Sequence, residues 1–186
     1  CCSTSGSMTQ ALLIYVNNGI SSKNYINYSS VARSVNEVSN SIDPVRIFSG
    51  KICFPSFNIS MNKCYYQSAV MCGSYVDSNS ATCLLSYSTF ADNNAIGYTC
   101  ISFNRADAKY EIKSCNILRN TQSTLDTQGT IYTYGNLNIY DSCILENTAN
   151  NIFCSFSSSY KITLSNCTAD SFSNNGYLTT QNTVTK

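Results

Sequence analysis

The sequence predicts an all-β protein built as a right-handed parallel β-helix solenoid, with about five to seven rungs and three short strands in each rung. Three observations predict this fold. A short unit, clearest in residues 137–148 (LNIYDSCILENT), recurs about every 25 residues. Apolar residues alternate within the unit, as they do in a strand with one buried face. The many Tyr, Ile, Val and Phe favour strands, whereas only two prolines and eight glycines are present.

Composition excludes several classes of partner and chemistry. Only 11% of the 186 residues are charged, and 11 Lys plus Arg balance 10 Asp plus Glu. This balance gives no basis for charge-driven binding to nucleic acid. The absence of histidine excludes Ser–His–Asp and Cys–His catalytic arrangements. No apolar stretch approaches the roughly 20 residues of a membrane span, so no direct membrane insertion is expected of this segment.

Residues 1–56 are predicted to form an N-terminal flank and cap of the solenoid. Residues 11–16 (ALLIYV) indicate a short buried strand that ends at an Asn-Asn-Gly turn. The spacing of four apolar residues is that of one face of a helix: Val31, Val35, Val38 and Ile42. Ser34 and Glu37 also have the spacing of a capping box, which favours a short capping helix, with another irregular rung as the alternative.

Residues 57–186 are predicted to form the β-helix rungs, as one continuous domain. Each unit begins with an alternating strand, and the pairs expected to face the core are Ile59/Met61, Tyr110/Ile112, Leu137/Ile139 and Ile162/Leu164. Polar residues and then an anchor residue follow, and the anchors are Cys64, Thr89, Cys115, Cys143 and Cys167. A third apolar segment completes each rung: residues 70–72, 98–101, 131–134, 152–156 and 177–178.

Stacking places like residues above one another at a strand spacing of about 4.8 Å. The cysteines predicted to form a core ladder are Cys64, Cys115, Cys143 and Cys167. The asparagines predicted to form a turn ladder, bonded from rung to rung by their amides, are Asn93, Asn120 and Asn147. In the unit 137–148, the anchor Cys143 and then Leu145 are expected to face inward and Glu146 outward. A leucine-rich repeat has a similar period, but its L-x-x-L-x-L run is missing.

The eleven cysteines leave two interpretations open. No C-x-x-C pair indicates a zinc or redox motif. In an oxidising compartment, neighbouring rungs would allow Cys115–Cys143 or Cys143–Cys167 disulfides. In the favoured alternative, the thiols stay reduced and pack as small apolar groups. Candidate N-glycosylation sequons, compatible with a secreted chain, occur at Asn27, Asn58 and Asn166.

Three units carry a resemblance to known proteins: LNIYDSCILENTA at 137–149, EIKSCNILRNT at 111–121 and KITLSNCTAD at 161–170. They resemble rungs of right-handed parallel β-helix proteins with the pectin-lyase-like fold. More narrowly, they are similar to surface proteins of the polymorphic outer-membrane-protein type, although the glycine-rich tetrapeptide of that family is missing. The resemblance covers about residues 57–180 and implies an exported or cell-surface protein used for adhesion or as a structural spacer.

Carboxylates carry the one enzymatic hypothesis. Glu146 and Asp170 are predicted to lie one rung apart, near the roughly 5 Å carboxylate separation of retaining glycosidases, with Arg119 and Asp92 on neighbouring rungs. Enzymes of the resembled fold use carboxylates on polysaccharides. The favoured alternative makes these four residues solvated turn residues. No phosphate-binding loop, dinucleotide fingerprint or calcium loop is present, so no cofactor and no metal are expected.

The sequence therefore favours a non-enzymatic structural or adhesion module, extracellular or at the cell surface, and part of a larger chain or assembly. Its expected partners are a protein or glycan surface, or stacking copies of itself. One alternative is a polysaccharide-active lyase or hydrolase of the pectin-lyase-like fold. The other is an intracellular, cytoplasmic assembly component whose cysteines stay reduced.

Overall fold

The computed structural model describes residues 2–3, 12–15, 23–36, 43–74, 76, 79–123 and 128–186. All named elements in this part of the chain are short β-strands, and all of their pairings are parallel. Each strand pairs with the corresponding strands of the turns before and after it, which produces long sheets from very short strands. The predicted all-β parallel β-helix solenoid is confirmed.

Four sheets run along the solenoid. Sheet 1 contains Leu12–Tyr15, Val45–Phe48, Val70–Gly73, Ile101–Phe103, Ile131–Thr133, Phe153–Ser155 and Asn174–Asn175. Sheet 2 contains Lys23–Tyr25, Lys51–Pro55, Cys83–Ser86, Lys109–Lys113, Asn136–Tyr140, Lys161–Ser165 and Tyr177–Gln181. Sheet 3 contains Cys2–Ser3, Ser30–Ala32, Asn58–Ser60, Thr89–Ala91, Asn116–Leu118, Cys143–Leu145, Thr168–Ala169 and Val184–Thr185. Sheet 4 contains Val35–Asn36, Lys63–Cys64, Asn94–Ala95 and Thr121–Gln122.

Alternation in the strands of sheet 2 builds the core. Its inward side chains are Ile52, Phe54, Cys83, Leu85, Tyr110, Ile112, Leu137, Ile139, Ile162 and Leu164. They are at most 2% exposed, and each buried aliphatic or aromatic group of this size contributes about 1.5–3 kcal/mol of transfer free energy. Tyr110/Ile112, Leu137/Ile139 and Ile162/Leu164 therefore face the core as the alternation predicts. The pair Ile59/Met61 does not, because Ile59 is buried in sheet 3 whereas Met61 is 46% exposed.

Single residues with positive φ make a first corner in seven described turns and a second corner in five of them. The first corner, between sheets 2 and 3, uses φ values of +46° to +59° at Tyr28, Ser56, Tyr87, Ser114, Asp141, Asn166 and Asn182. The second corner follows sheet 3, with φ values of +51° to +59° at Arg33, Met61, Asp92, Arg119 and Glu146. One residue in the left-handed region redirects the strand, so the next residue falls inside the turn.

The predicted capping helix is wrong for the described residues. Val31 and Val35 lie on different strands, Ser30–Ala32 of sheet 3 and Val35–Asn36 of sheet 4. The second corner at Arg33, with a φ of +58°, separates them. Ser34 donates its backbone N–H to Asn62 Oδ1 at 2.9 Å, on the next turn, which satisfies a group that a helix would have used locally. The remaining residues of the prediction, Glu37, Val38 and Ile42, lie outside the described residues.

The sheets continue on both sides of residue 57. Lys51–Pro55 pairs with Cys83–Ser86, and Val45–Phe48 pairs with Val70–Gly73, in the same registers as later turns. Described strands before residue 57 are therefore turns of the solenoid. The last predicted third segment, residues 177–178, is also corrected, because Tyr177–Gln181 pairs with Lys161–Ser165 in sheet 2.

Candidate functional site

The predicted core ladder of Cys64, Cys115, Cys143 and Cys167 is corrected by the strand register. Cys143 pairs with Asn116 on one side and with Thr168 on the other, so it lies one residue beyond the level of Cys115 and Cys167. A shift of one residue reverses the face of a strand, and Cys143 and Leu145 are accordingly half-buried while Ile144 is fully buried. Cys64 belongs to sheet 4, where it pairs with Ala95.

A column of hydroxyls and thiols occupies the residue after six of the seven first corners, and Phe57 follows the remaining one at Ser56. Its members are Ser29, Ser88, Cys115, Ser142, Cys167 and Thr183. Each donates to the carbonyl two residues earlier; for example, Ser142 Oγ lies 2.7 Å from Tyr140 O and Cys115 Sγ lies 3.3 Å from Lys113 O. Cysteine thus replaces serine here as a weak donor.

The thiols of this region are unpaired. Cys115, Cys143 and Cys167 form no disulfide. On the turn between Cys115 and Cys167, the matching register position is occupied by Ser142, and the side chain of Cys143 faces another direction. Burial raises the pKa of Cys115 to about 11 and also raises the pKa of Cys167. Neither thiol is therefore a ready nucleophile at neutral pH.

The asparagines after the second corner form a continuous amide ladder. Nδ2 of Asn62 donates to Oδ1 of Asn93 at 2.9 Å, Nδ2 of Asn93 to Oδ1 of Asn120 at 2.9 Å, and Nδ2 of Asn120 to Oδ1 of Asn147 at 3.0 Å. The same Oδ1 atoms also accept the backbone N–H of the preceding asparagine. The ladder contains the predicted Asn93, Asn120 and Asn147, together with Asn62.

Three of the four charged candidates lie at the second corner itself, where the side chains point outward. Arg119 binds Asp92 with two bonds, Nε to Oδ1 at 2.7 Å and Nη2 to Oδ2 at 2.9 Å. The backbone N–H of Glu146 donates to Oδ2 of Asp170, and the charge of Glu146 acts on Arg119. The structure therefore brings Asp92, Arg119, Glu146 and Asp170 together on neighbouring turns, as a charged column on the surface.

This charged column lacks the surroundings that carboxylate catalysis uses. All four residues are exposed, and none lines the groove that lies on the outer side of sheet 1. The hydrogen bond from Arg119 lowers the pKa of Asp92, whereas a general acid needs a raised pKa. The arrangement is that of a solvated ion-paired corner.

A groove on the outer side of sheet 1 has the character of a binding site. Its cavity volume is about 260 Å³, and it is lined by Arg46, Tyr66, Gln67, Tyr98, Asn104, Gln128, Tyr132 and Tyr134. We call it the tyrosine groove. The rings of Tyr66 and Tyr98 lie 4.7 Å apart, and Tyr134 stacks on Phe156 at 4.4 Å with an angle of 18° between the planes.

A buried ion pair fixes one wall of the tyrosine groove. Asp43 is fully buried; its Oδ2 lies 2.8 Å from Arg46 Nε, and its Oδ1 accepts the backbone N–H of Gln67 at 3.2 Å. Burial raises the pKa of Asp43, and the nearby Arg46 opposes that rise. Arg46 also lies over the ring of Phe48, 5.3 Å from its centroid. Arg46 and Gln67 are therefore held in place at the groove.

Sequence reasoning missed the tyrosine groove. Its residues come from four successive turns, in sheet 1 and in the connections beside it, and they follow no common spacing. The available signal was the occurrence of tyrosine in or beside the third apolar segment of successive units, at Tyr66, Tyr98, Tyr132 and Tyr134. No family model, no curated protein sequence and no solved structure matches the chain.

The sequon asparagines Asn27, Asn58 and Asn166 are exposed, each next to or within a strand of sheet 3 or its first corner. Within the described part of the chain, no group of three or more acidic or cysteine side chains could hold a metal ion. No helix long and apolar enough to cross a membrane occurs among the same residues.

Proposed function

We propose that this protein is a non-enzymatic binding module of a cell surface or the extracellular space, and that the tyrosine groove binds a neutral carbohydrate. The observation that carries the proposal is the set of four tyrosines that line one groove beside amide side chains. Tyrosine rings offer flat apolar faces with a polar hydroxyl at the rim, which suits a ligand that has both C–H faces and hydroxyls.

The polar lining supports the same class of ligand. Gln67, Asn104 and Gln128 supply both hydrogen-bond donors and acceptors, which a sugar hydroxyl can use in either role. The volume of about 260 Å³ lies just below the range of about 300–1,000 Å³ for pockets that bind drug-sized molecules, so one or two sugar units fit. The exposed sequons at Asn27, Asn58 and Asn166 are compatible with a secreted chain.

Binding without cleavage is favoured by the position of the acidic residues. Glu146 lies at the second corner and Asp170 directly follows the sheet 3 strand Thr168–Ala169, whereas the groove lies outside sheet 1. Among the described residues beside the groove, the carboxylate is that of Asp43, which is buried against Arg46. It is held as a structural group.

Titration calorimetry against a panel of neutral oligosaccharides tests this proposal. Tyr66→Ala and Tyr134→Ala are expected to weaken binding about tenfold each, since an aromatic contact is worth about 0.5–1.5 kcal/mol beyond its area. Tyr28→Ala, at an exposed first corner, is the matched control and should leave binding unchanged. Equal binding by Tyr66→Ala and the unaltered protein would contradict the site. If the protein releases reducing ends from an oligosaccharide and Glu146→Gln abolishes that release, the non-enzymatic function is contradicted.

A further inference from the structure

One pair of cysteines differs from all the corner thiols. Cys72, in Val70–Gly73 of sheet 1, and Cys83, the first residue of Cys83–Ser86 in sheet 2, belong to successive strands of the same turn. Both side chains are 0% exposed and belong to the same cluster of core residues, and the Cys72 thiol is close enough to affect the pKa of Cys83. The pair therefore joins two different sheets across the interior of the solenoid.

The backbone around this pair is held on both sides. Ser74 Oγ lies 2.9 Å from Thr82 Oγ1, so a second contact bridges the same two strands next to the cysteines. Thr82 donates its backbone N–H to Lys109 O at 2.9 Å, and its own carbonyl accepts from Ile52 N at 2.8 Å. Gly73 pairs with Phe48 in sheet 1. Register with the neighbouring turns thus fixes both strand ends.

The surroundings of the pair are apolar and closed. Tyr110, also 0% exposed, lies beside both thiols, stacks on Phe103 at 4.6 Å and donates its hydroxyl to Arg105 O at 3.0 Å. Burial raises the pKa of Cys83, and the neighbouring Cys72 thiol raises it further. Thiolate is therefore scarce in the folded state, so exchange chemistry is expected mainly while the chain is folding.

We propose that Cys72 and Cys83 form an intramolecular disulfide that joins sheets 1 and 2 when the chain folds in the presence of a low-molecular-weight disulfide. The thiolate of one cysteine attacks the oxidant and releases one thiol, and the second cysteine then displaces the other. One S–S bond forms and one breaks; the two cysteine protons pass to the two thiols released. This proposal does not depend on the proposed function.

Refolding with peptide mapping tests the proposal. The reduced, unfolded full chain is refolded at about pH 8.5 with oxidised and reduced glutathione, then alkylated and digested. Mass spectrometry is expected to find a 72–83 disulfide as the main cross-link. Because a disulfide that closes a short loop stabilises by restricting the unfolded chain, the oxidised protein should melt about 5 °C above the dithiothreitol-treated protein.

Variants separate this pair from the other cysteines. Cys72→Ser and Cys83→Ser should each lose the cross-link and the difference in melting temperature, whereas Cys115→Ser, in the first-corner column, should keep both. Full alkylation of Cys72 and Cys83 after oxidative refolding would overturn the proposal, as would a main cross-link from Cys83 to Cys53. The peptide map of the unaltered chain decides the matter even where a serine variant does not fold.

Discussion

Each turn of the solenoid bends at residues with positive φ, and none of the corner residues is glycine. Asparagine and aspartate tolerate this region, as at Asp92, Asp141 and Asn166, but the same corners also hold Tyr87, Met61 and Arg119. A left-handed residue with a Cβ costs roughly 1–2 kcal/mol. At most corners, the residue directly after the corner belongs to the column of hydroxyls and thiols or to the amide ladder, and its hydrogen bonds offset this cost.

Tyr87 provides a test of corner strain at the scale of one residue. It has a φ of +50° and is 65% exposed, so its side chain contributes little to packing. Tyr87→Gly is expected to be more stable than Tyr87→Ala by about 0.5–1 kcal/mol, because only glycine escapes the Cβ clash. Urea unfolding measures the difference. At the exposed strand residue Lys113 the order should reverse, with Lys113→Ala the more stable, and the same order at both positions would contradict corner strain.

The Asp92–Arg119 pair predicts a small dependence of stability on pH. Because the hydrogen bond from Arg119 lowers the pKa of Asp92 below its ordinary value of 3.8, its stabilisation is fully present above pH 3.8. It is lost as the pH falls through the lower folded pKa. Asp92→Asn should therefore reduce the urea midpoint slightly at pH 7 and not at about pH 2.5. Added salt should shrink the difference at pH 7, and a difference that persists at low pH would contradict the pairing.

At the scale of elements, the amide ladder connects the strands of successive turns inside the second corner. Asn120 shows how completely each amide is used: its Nδ2 donates to Phe90 O at 2.8 Å and to Asn147 Oδ1, while its Oδ1 accepts from Asn93. The side chain is 1% exposed. Water cannot replace these partners, so each lost bond leaves a buried group without one.

Removal of one amide from the ladder should be costly. Asn120→Ala is expected to lower the free energy of unfolding by about 2–4 kcal/mol, since it orphans groups on both neighbouring turns. Asn120→Asp should cost at least as much at pH 7, because a carboxylate oxygen would face Phe90 O and Asn147 Oδ1. Asn116→Ala, at an exposed position of sheet 3, is the matched control. A cost below about 0.5 kcal/mol for Asn120→Ala would mean that the ladder does not stabilise the fold.

The sequence predicted the strands better than their alignment. Alternation alone identified the inward pairs of sheet 2, such as Leu137 and Ile139, because a period of two needs no tertiary information. When the repeat units are aligned on their cysteines, Cys143 falls level with Cys115. Alignment on the asparagine that ends each unit matches Asn147 with Asn120 and gives the observed register. The corner residue takes up one position without adding to the strand, and periodicity cannot detect it.

At the scale of the whole molecule, the residues of the candidate binding surface lie on the outer side of the sheets, where the sequence was least informative. The tyrosine groove combines side chains from several turns with connecting segments of unequal length. No local pattern links Tyr66 to Tyr134, so only the stacking of turns brings them to one surface. The fold class followed from the repeat, whereas the candidate binding surface needed the three-dimensional register.

The one-to-one parallel register has a consequence for growth of the molecule by duplication. In sheets 1 to 3, successive turns present matching backbone acceptors and donors to one another, as in the pairing of Lys109–Lys113 with Asn136–Tyr140 and of that strand with Lys161–Ser165. Insertion of a whole copied turn would preserve this backbone pairing and displace the following turns by about 4.8 Å along the axis. Duplication of turns can therefore change the distance between two surface features in steps of about 4.8 Å.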